Sequence, residues 1–480
     1  MKTSLTGGNE PCCLTIDQGG HAIRAMVFDA QSRLITAAQE EIALDGARGG
    51  HQEYEARTLL DSLRRAISTA IGQLPVGCPA PRSAALATQR ANMVCWDRND
   101  GAPLSPIISW QDRRGAAWLE QSTAQRDTIR RITGLPLSAH YGAAKFRWCL
   151  DHLPAVHEAL DENRLAMGPM ASFLIFHLLQ ERPLLSDPVN ASRTLLWDLE
   201  RRDWSPCLLD LFDLPATALP RCAPTRHAYG TLDTGGNHIP LTVVTGDQAA
   251  ALFAHGEPDP DTIYITLGTG AFIQRPIGTR PSFTSTLLTS VLTQEARTMR
   301  YTLEGTINGA GGALDWLEKN LGVKLDFKHL SQWLARNHEP PLFLNGITGL
   351  GTPFMRADFP SRFIGESGTM EKACAVIESI VFLIQLNLEN MQSVSGPAAN
   401  VVAGGGLARL DGLCQRIADL SALPVLRVDD HETTSHGLAY LLTGHAPQRI
   451  PSDSSRFTPA EAPALNDRYR RWKQIMSESA

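Results

Sequence analysis

The chain is expected to be an α/β protein of at least two domains, on three observations. Strand-like apolar runs alternate with helical patterns along its whole length. Its 480 residues exceed what one hydrophobic core usually organises. A strand, glycine turn, strand unit near the start, LTIDQGGHAIRAMVFD at 14–29, is echoed by TIYITLGTGAFIQ at 262–274. One such turn in each half suggests two similar lobes facing a common ligand.

In the opening unit, apolar residues run up to Asp17, the turn is Gln18-Gly19-Gly20-His21, and Arg24 lies in the second strand. Glycine turns are ordinary in hairpins. An acid before the turn and an arginine after it also suit a phosphate. Further strands are expected at 13–17, 84–88, 241–245, 262–266 and 400–404, and helices at 56–71, 249–254, 312–320 and 372–391. HGEPDPD at 255–261 is rich in turn formers and marks the main boundary, giving spans 1–254 and 255–445. From 446 to 480 the chain reads as a polar extension. It ends in an amphipathic pattern, ALNDRYRRWKQIM, that either docks on a domain or stays mobile.

Composition excludes several classes. The formal net charge of −6 argues against a nucleic-acid or anionic-membrane binder. Nine scattered cysteines without a C-x-x-C pair read as reduced thiols of a cytoplasmic protein. MKTSLTGGNEPCC holds no apolar leader run, so no signal peptide is expected. The longest apolar stretch, from Ala373, is interrupted by Glu378 and reads as a buried helix.

No Walker A or G-x-G-x-x-G pattern is present. Four glycine turns follow strands instead: 17–20, 268–270, 309–312 and 404–406. Such turns let backbone N–H groups approach an anion. In LTVVTGDQAAALFAHG, Asp247 opens a helix after a β-rich run. It reads either as an N-cap or as a carboxylate that accepts a substrate hydroxyl proton, with Gln248 bonding the same substrate. Around Arg90, Trp96 and Trp110 punctuate a polar region. An arginine with an indole platform suits a small polyhydroxy ligand, and core tryptophans with an arginine ion pair explain the same residues.

With these segments assembled, the chain resembles the FGGY carbohydrate kinases, and among them the glycerol kinases most. TQRANMVCWDRNDGAPLSPIISWQDRRG, ITGLPLSAHYGAAKFRWCLD, GDQAAALF, LGTGAF, EGTINGAGGALDWL, GLGTPF and VVAGGGLA fall in the family's order, over roughly 12–445. The resemblance implies two actin-like (ribonuclease H-like) lobes of mixed sheets flanked by helices, with ATP and Mg²⁺ in a cleft between them. It implies transfer of the γ-phosphoryl group to a hydroxyl of a small polyol or sugar, a reaction governed by positioning and charge neutralisation. Asp247 matches the catalytic base. Asp17 matches the metal- and phosphate-organising aspartate, and the two aspartates form the metal site. Gly19, Gly20, His21 and Arg24 match the first phosphate turn, and Thr269 the second. Gly311, Asp315, Gly404, Gly405 and Arg409 match positions around the nucleotide. Arg90, Ala91, Trp110, His140, Gln248 and Phe272 match acceptor-contacting positions. The sequence leaves open whether the chain forms a homo-oligomer, dimer or tetramer.

The departures cluster in the site. Glycerol kinases follow the arginine with a glutamate, where this chain has Ala91. Losing that acceptor costs a glycerol hydroxyl about 1.5–3 kcal/mol, so a different or larger acceptor is expected. Their tyrosine before the K-x-R-W motif is replaced by His140, with Tyr141 beside it. Hydroxyl residues of the first turn are replaced by Gly20, His21 and Ala22. At the adenosine end, Arg409 replaces an asparagine and Asp315 a glutamine, and the two are expected to pair or Arg409 to stack on the base. The alternative to a kinase is a catalytically weak FGGY-like protein that binds ligand as a sensor. Retention of Asp17, Arg24, Asp247, Gln248 and Thr269 together favours the kinase.

Overall fold

The computed structural model describes residues 12–47, 51–234, 236–322, 324–325, 327–334, 339–446 and 455–479. Most of MKTSLTGGNEPCC and part of the 446–480 stretch lie outside them. Two compact units divide the chain. The first holds 1–258, 290–300 and 432–448, and the second 259–289, 301–431 and 449–480.

The first unit is built on a six-stranded sheet. Its order is Arg226–Asp233, His238–Gly246, Ser83–Thr88, Cys13–Gln18, Ala22–Phe28 and Leu34–Glu41. Cys13–Gln18 is wholly buried, and Ser83–Thr88 nearly so. Their unbroken apolar runs suit central parallel strands covered on both faces. Leu34–Glu41, at the edge, alternates towards solvent. The helix Ala56–Gly72 covers one face with Leu59, Leu60, Leu63 and Ile67. Its N-terminus is capped by Glu55, which accepts from the Arg57 and Thr58 amides at 3.1 and 2.6 Å. The late helix Thr433–Thr443 also belongs to this unit, packing so closely on Asp247–Ala251 that a Cβ on Gly437 would meet the Ala250 carbonyl oxygen at 1.8 Å.

The second unit carries, as neighbouring strands of one sheet, Met299–Ile307, Ala271–Gly278, Thr262–Leu267, Asn400–Gly404, Val425–Arg427 and Arg456–Phe457, in that order. The internal echo in the sequence is one supersecondary unit used twice. In each unit an antiparallel hairpin, 13–28 or 262–278, has its first strand continued by a parallel neighbour, Ser83–Thr88 or Asn400–Gly404.

The apolar stretch from Ala373 is the centre of a 27-residue helix, Thr369–Ser395. Its buried Glu378 receives a two-pronged bond from Arg468, at 2.8 and 2.7 Å. Arg468 stands on the terminal helix Pro463–Ser479, which buries Leu465, Tyr469, Trp472 and Met476. The amphipathic pattern at the end of the chain is therefore docked. Among the described residues, no helix is long and apolar enough to cross a membrane, and the nine cysteines are free.

Candidate active site

Strands Cys13–Gln18, Ser83–Thr88 and His238–Gly246 run parallel and end in register, with Gln18 beside Thr88 and Thr88 beside Gly246. The segments Gly19-Gly20, Gln89-Arg90-Ala91 and Asp247-Gln248 therefore leave the sheet at one level. The carboxyl ends of parallel strands are where open α/β sheets bind ligands.

Asp17 lies one residue inside that edge, 6% exposed, paired across the hairpin with Arg24. Its Oδ1 has no hydrogen-bond partner. Burial pushes its carboxyl up to about 7, the Asp247 charge adds to the rise, Arg24 opposes it and Glu432 adds again. A buried carboxylate oxygen left bare beside a second carboxylate is poised for a cation.

Where the sequence allowed Asp247 as a helix cap, the cap position belongs to Gly246, and Asp247 is the first helical residue. Its Oδ1 accepts from the Gln248 amide at 2.8 Å. The strand His238–Gly246 runs directly into this helix, which leaves Asp247 at the sheet edge.

The first turn is closed by the Gly19 amide donating to the Ala22 carbonyl at 3.0 Å. Gly20 lies under Gln89: a Cβ there would stand 2.9 Å from Gln89 Nε2. Gln89 is itself fixed, because its Oε1 accepts from the Tyr54 hydroxyl at 3.0 Å and from Asn92 Nδ2 at 3.2 Å. The same Tyr54 proton is shared with the Gly20 carbonyl, 3.2 Å away. Glycine at 20 thus makes room for a neighbouring amide. His21 is exposed, and its carbonyl accepts from the Ile42 amide at 3.0 Å.

On the expected acceptor side, Arg90 Nη2 donates to Gln248 Oε1. The Arg90 stem covers Gly246, where a Cβ would meet Arg90 Cγ at 2.6 Å. Ala91 adopts the left-handed region at φ 62° and is buried. Trp110 is partly exposed, its amide held by Asn92 Oδ1 at 2.7 Å. His140 Nδ1 lies 3.0 Å from the Trp110 carbonyl and Nε2 lies 3.2 Å from Arg113 Nη2. Both ring nitrogens are engaged by the protein, and burial holds the ring's pKa below its ordinary value. Trp96 belongs elsewhere. It is wholly buried against Phe173 and Phe176, with ring centroids at 5.7 and 6.1 Å, so only Trp110 remains as a platform.

In the second unit, the glycine turns gather. The Gly311 amide donates to the Gly268 carbonyl, and the Ala310 and Gly312 amides to the Thr269 carbonyl, each at 2.9 Å. Gly405, at φ 92°, passes so close to Leu267 that a Cβ would meet its carbonyl oxygen at 2.5 Å. Gly404 pairs with Thr266, and Phe272 stands opposite Thr266 and Thr306. Asp315 and Arg409 are both exposed, and no ion pair joins them among the described residues. The expected pairing is corrected: Asp315 lies on the helix Gly311–Leu321, whereas Arg409 ends the short turn Gly406–Arg409.

Two residues at the first unit's edge were not singled out in the sequence. Glu432 Oε1 lies 3.2 Å from Arg24 Nε, which also donates to Gln39 Oε1 at 3.1 Å. Lys145, in the GAAKFRW stretch, is wholly buried between the acceptor-side segments. The K-x-R-W motif contains Lys145 but assigns it no role, and HETTSHG would have pointed to Glu432 only through the known position of Arg24.

The residues fit a hard divalent cation. Oxygen donors are what Mg²⁺ takes, and it commonly uses one or two carboxylates together with phosphate and water. Asp17 and Asp247 supply two, and no group of three or more His, Cys, Asp or Glu placed to hold a metal occurs among the described residues.

The family model described as the FGGY family of carbohydrate kinases, N-terminal domain, matches residues 12–254, and the corresponding C-terminal domain matches 263–444. A glycerol kinase of Aromatoleum aromaticum is 32% identical over 439 residues, covering 89% of this chain and 88% of the relative. A solved Plasmodium falciparum glycerol kinase with ADP superposes with a TM-score of 0.89 at 21% identity, covering 98% of both chains. A xylulose kinase from Rhodospirillum rubrum superposes with a TM-score of 0.86 at 19% identity, covering 97% and 98%. At these identities the two structures speak for the fold.

Proposed function

Because the chain belongs to the FGGY family of carbohydrate kinases, phosphotransferases with an alcohol acceptor, we propose that it uses ATP to phosphorylate a hydroxyl of a small polyol or sugar other than glycerol. The reading is supported above all by one observation. Three parallel strands ending in register bring Asp17, the Arg90–Gln248 pair and Asp247 to one edge of one sheet.

In this reading Asp247 accepts the proton of the attacking hydroxyl as it is transferred. Arg90 and Gln248, bonded to each other, present one donor array and fix the acceptor's orientation. Trp110 covers its C–H face. Arg24 and the amides of the Gly19-Gly20 turn bind phosphate oxygens. Asp17 and Asp247 are the residues that would hold Mg²⁺, which neutralises charge on the phosphates. In the second unit, Thr269, Gly311, Asp315, Gly404, Gly405 and Arg409 are assigned to the nucleotide and Phe272 to the acceptor. Because the Gly311 amide is already bonded to Gly268, its role would be to allow close approach.

A changed acceptor is supported by Ala91, whose methyl group supplies no hydrogen-bond acceptor. Free cysteines fit a reducing compartment.

The test is a coupled ADP-release assay with Mg²⁺ over glycerol, erythritol, pentitols, pentuloses and hexuloses. Turnover is expected with at least one acceptor, at a kcat/KM above that for glycerol. Clean protein without turnover on any of them would overturn the kinase reading, and glycerol as the best substrate would overturn the altered acceptor.

A further inference from the structure

Lys145 is 0% exposed, on the helix Gly142–His152. Its Nζ donates to the Ala91 carbonyl at 2.9 Å and to the His140 carbonyl at 2.7 Å. These two carbonyls belong to segments far apart in sequence. One follows the strand Ser83–Thr88 and carries Arg90; the other precedes the helix and carries His140, whose ring is in turn bonded to the Trp110 carbonyl.

The contact is not an ion pair. The charged groups that act on Lys145 are Asp112 and Arg114, and these satisfy each other at 2.8 and 2.9 Å. Burial brings the Lys145 pKa down to about 7. A neutral amine has two N–H donors, matching the two carbonyls, whereas an ammonium carries a third. Ala91 needs such support, since an L residue in the left-handed region is strained.

We propose that Lys145 is a positioning residue for the acceptor: by clamping the Ala91 and His140 carbonyls it holds the Arg90 and Trp110 segments in register, and so sets acceptor affinity. The inference rests on the acceptor site proposed above, with Lys145 touching neither substrate nor nucleotide.

Two measurements test it on the full chain. In hydrogen exchange, Lys145→Met is expected to lose protection in 88–93 and 137–142 together, with other core segments unchanged. In the ADP-release assay, the same variant is expected to raise acceptor KM about tenfold or more, while ATP KM and kcat stay within about threefold. Should the methionine variant not fold, Lys145→Gln, which keeps two N–H donors on a shorter arm, is expected to show the same split. A folded variant with unchanged acceptor KM, equal rises in both KM values, or protection lost evenly across the unit would overturn the clamp. Absence of wild-type turnover would overturn the kinase reading, and the exchange data would still decide whether Lys145 joins the two segments.

Discussion

Gln89 occupies the space that a side chain at Gly20 would need. A Cβ on Gly20 would stand 2.9 Å from Gln89 Nε2, and Gln89 is held in place by Tyr54 and Asn92. The missing hydroxyl at 20 and the bulky amide at 89 are therefore two halves of one packing solution. Gly20→Ser is expected to cost about 1–3 kcal/mol by overpacking. In Gly20→Ser/Gln89→Ala that cost should largely vanish, and ATP KM should fall below that of Gln89→Ala. A urea-denaturation double-mutant cycle reads the coupling, and additive losses would show that the two positions are independent.

Glu432 Oε1 lies 3.2 Å from Arg24 Nε, so under the proposed role of Arg24 it would compete with a phosphate. The pair is about 30% exposed on both sides, so it contributes little to stability. Glu432→Gln is expected to change stability by less than about 1 kcal/mol and to lower ATP KM severalfold. An unchanged or raised ATP KM would mean that the carboxylate helps to place Arg24.

Ala91 is buried at a left-handed φ that alanine and glutamate tolerate alike. Ala91→Glu is therefore expected to fold and to raise kcat/KM for glycerol about tenfold, by restoring an acceptor for its hydroxyls. Steady-state kinetics with glycerol check this; flat kinetics would place the origin of acceptor choice at other residues.

Lys145 makes stability depend on pH in a defined direction. Its pKa is about 7 in the folded chain against an ordinary 10.5, so the unfolded chain binds the proton more tightly between these values. The destabilisation from burying this group is fully present below pH 7 and is relieved as pH rises towards 10.5. The urea midpoint of the wild type, relative to Lys145→Met, is expected to rise from pH 6.5 to pH 9. A constant difference would mean that the side chain keeps its charge throughout.

The fold was legible where a residue's environment follows from its neighbours in sequence. The runs at 13–17 and 84–88 are apolar because central parallel strands are buried on both faces; the run at 400–404 is a strand as well, buried at alternate residues. Helix ends were less legible, because capping shifts them. The helix expected over 249–254 begins at Asp247 and ends at Ala251. In the site, Trp96 and Trp110 are indistinguishable by local pattern, since only tertiary packing buries one and leaves the other partly open. The role of Lys145 was illegible because a lysine ordinarily reads as solvated, and its two partners are backbone carbonyls that no sequence pattern reports. Glu432 was illegible because its partner Arg24 lies at the opposite end of the chain.

In the proposed mechanism Asp247 takes the acceptor's proton at the shared edge of three parallel strands. Asp247→Asn keeps the shape and the helix start while removing the base. Single-turnover phosphoryl transfer in this variant, with acceptor binding measured in parallel by calorimetry, separates a base from a helix-start residue. A loss of about 10²-fold or more in transfer with acceptor affinity within about threefold is the predicted result. Transfer at the wild-type rate would contradict it and leave Asp247 as a helix-start residue alone.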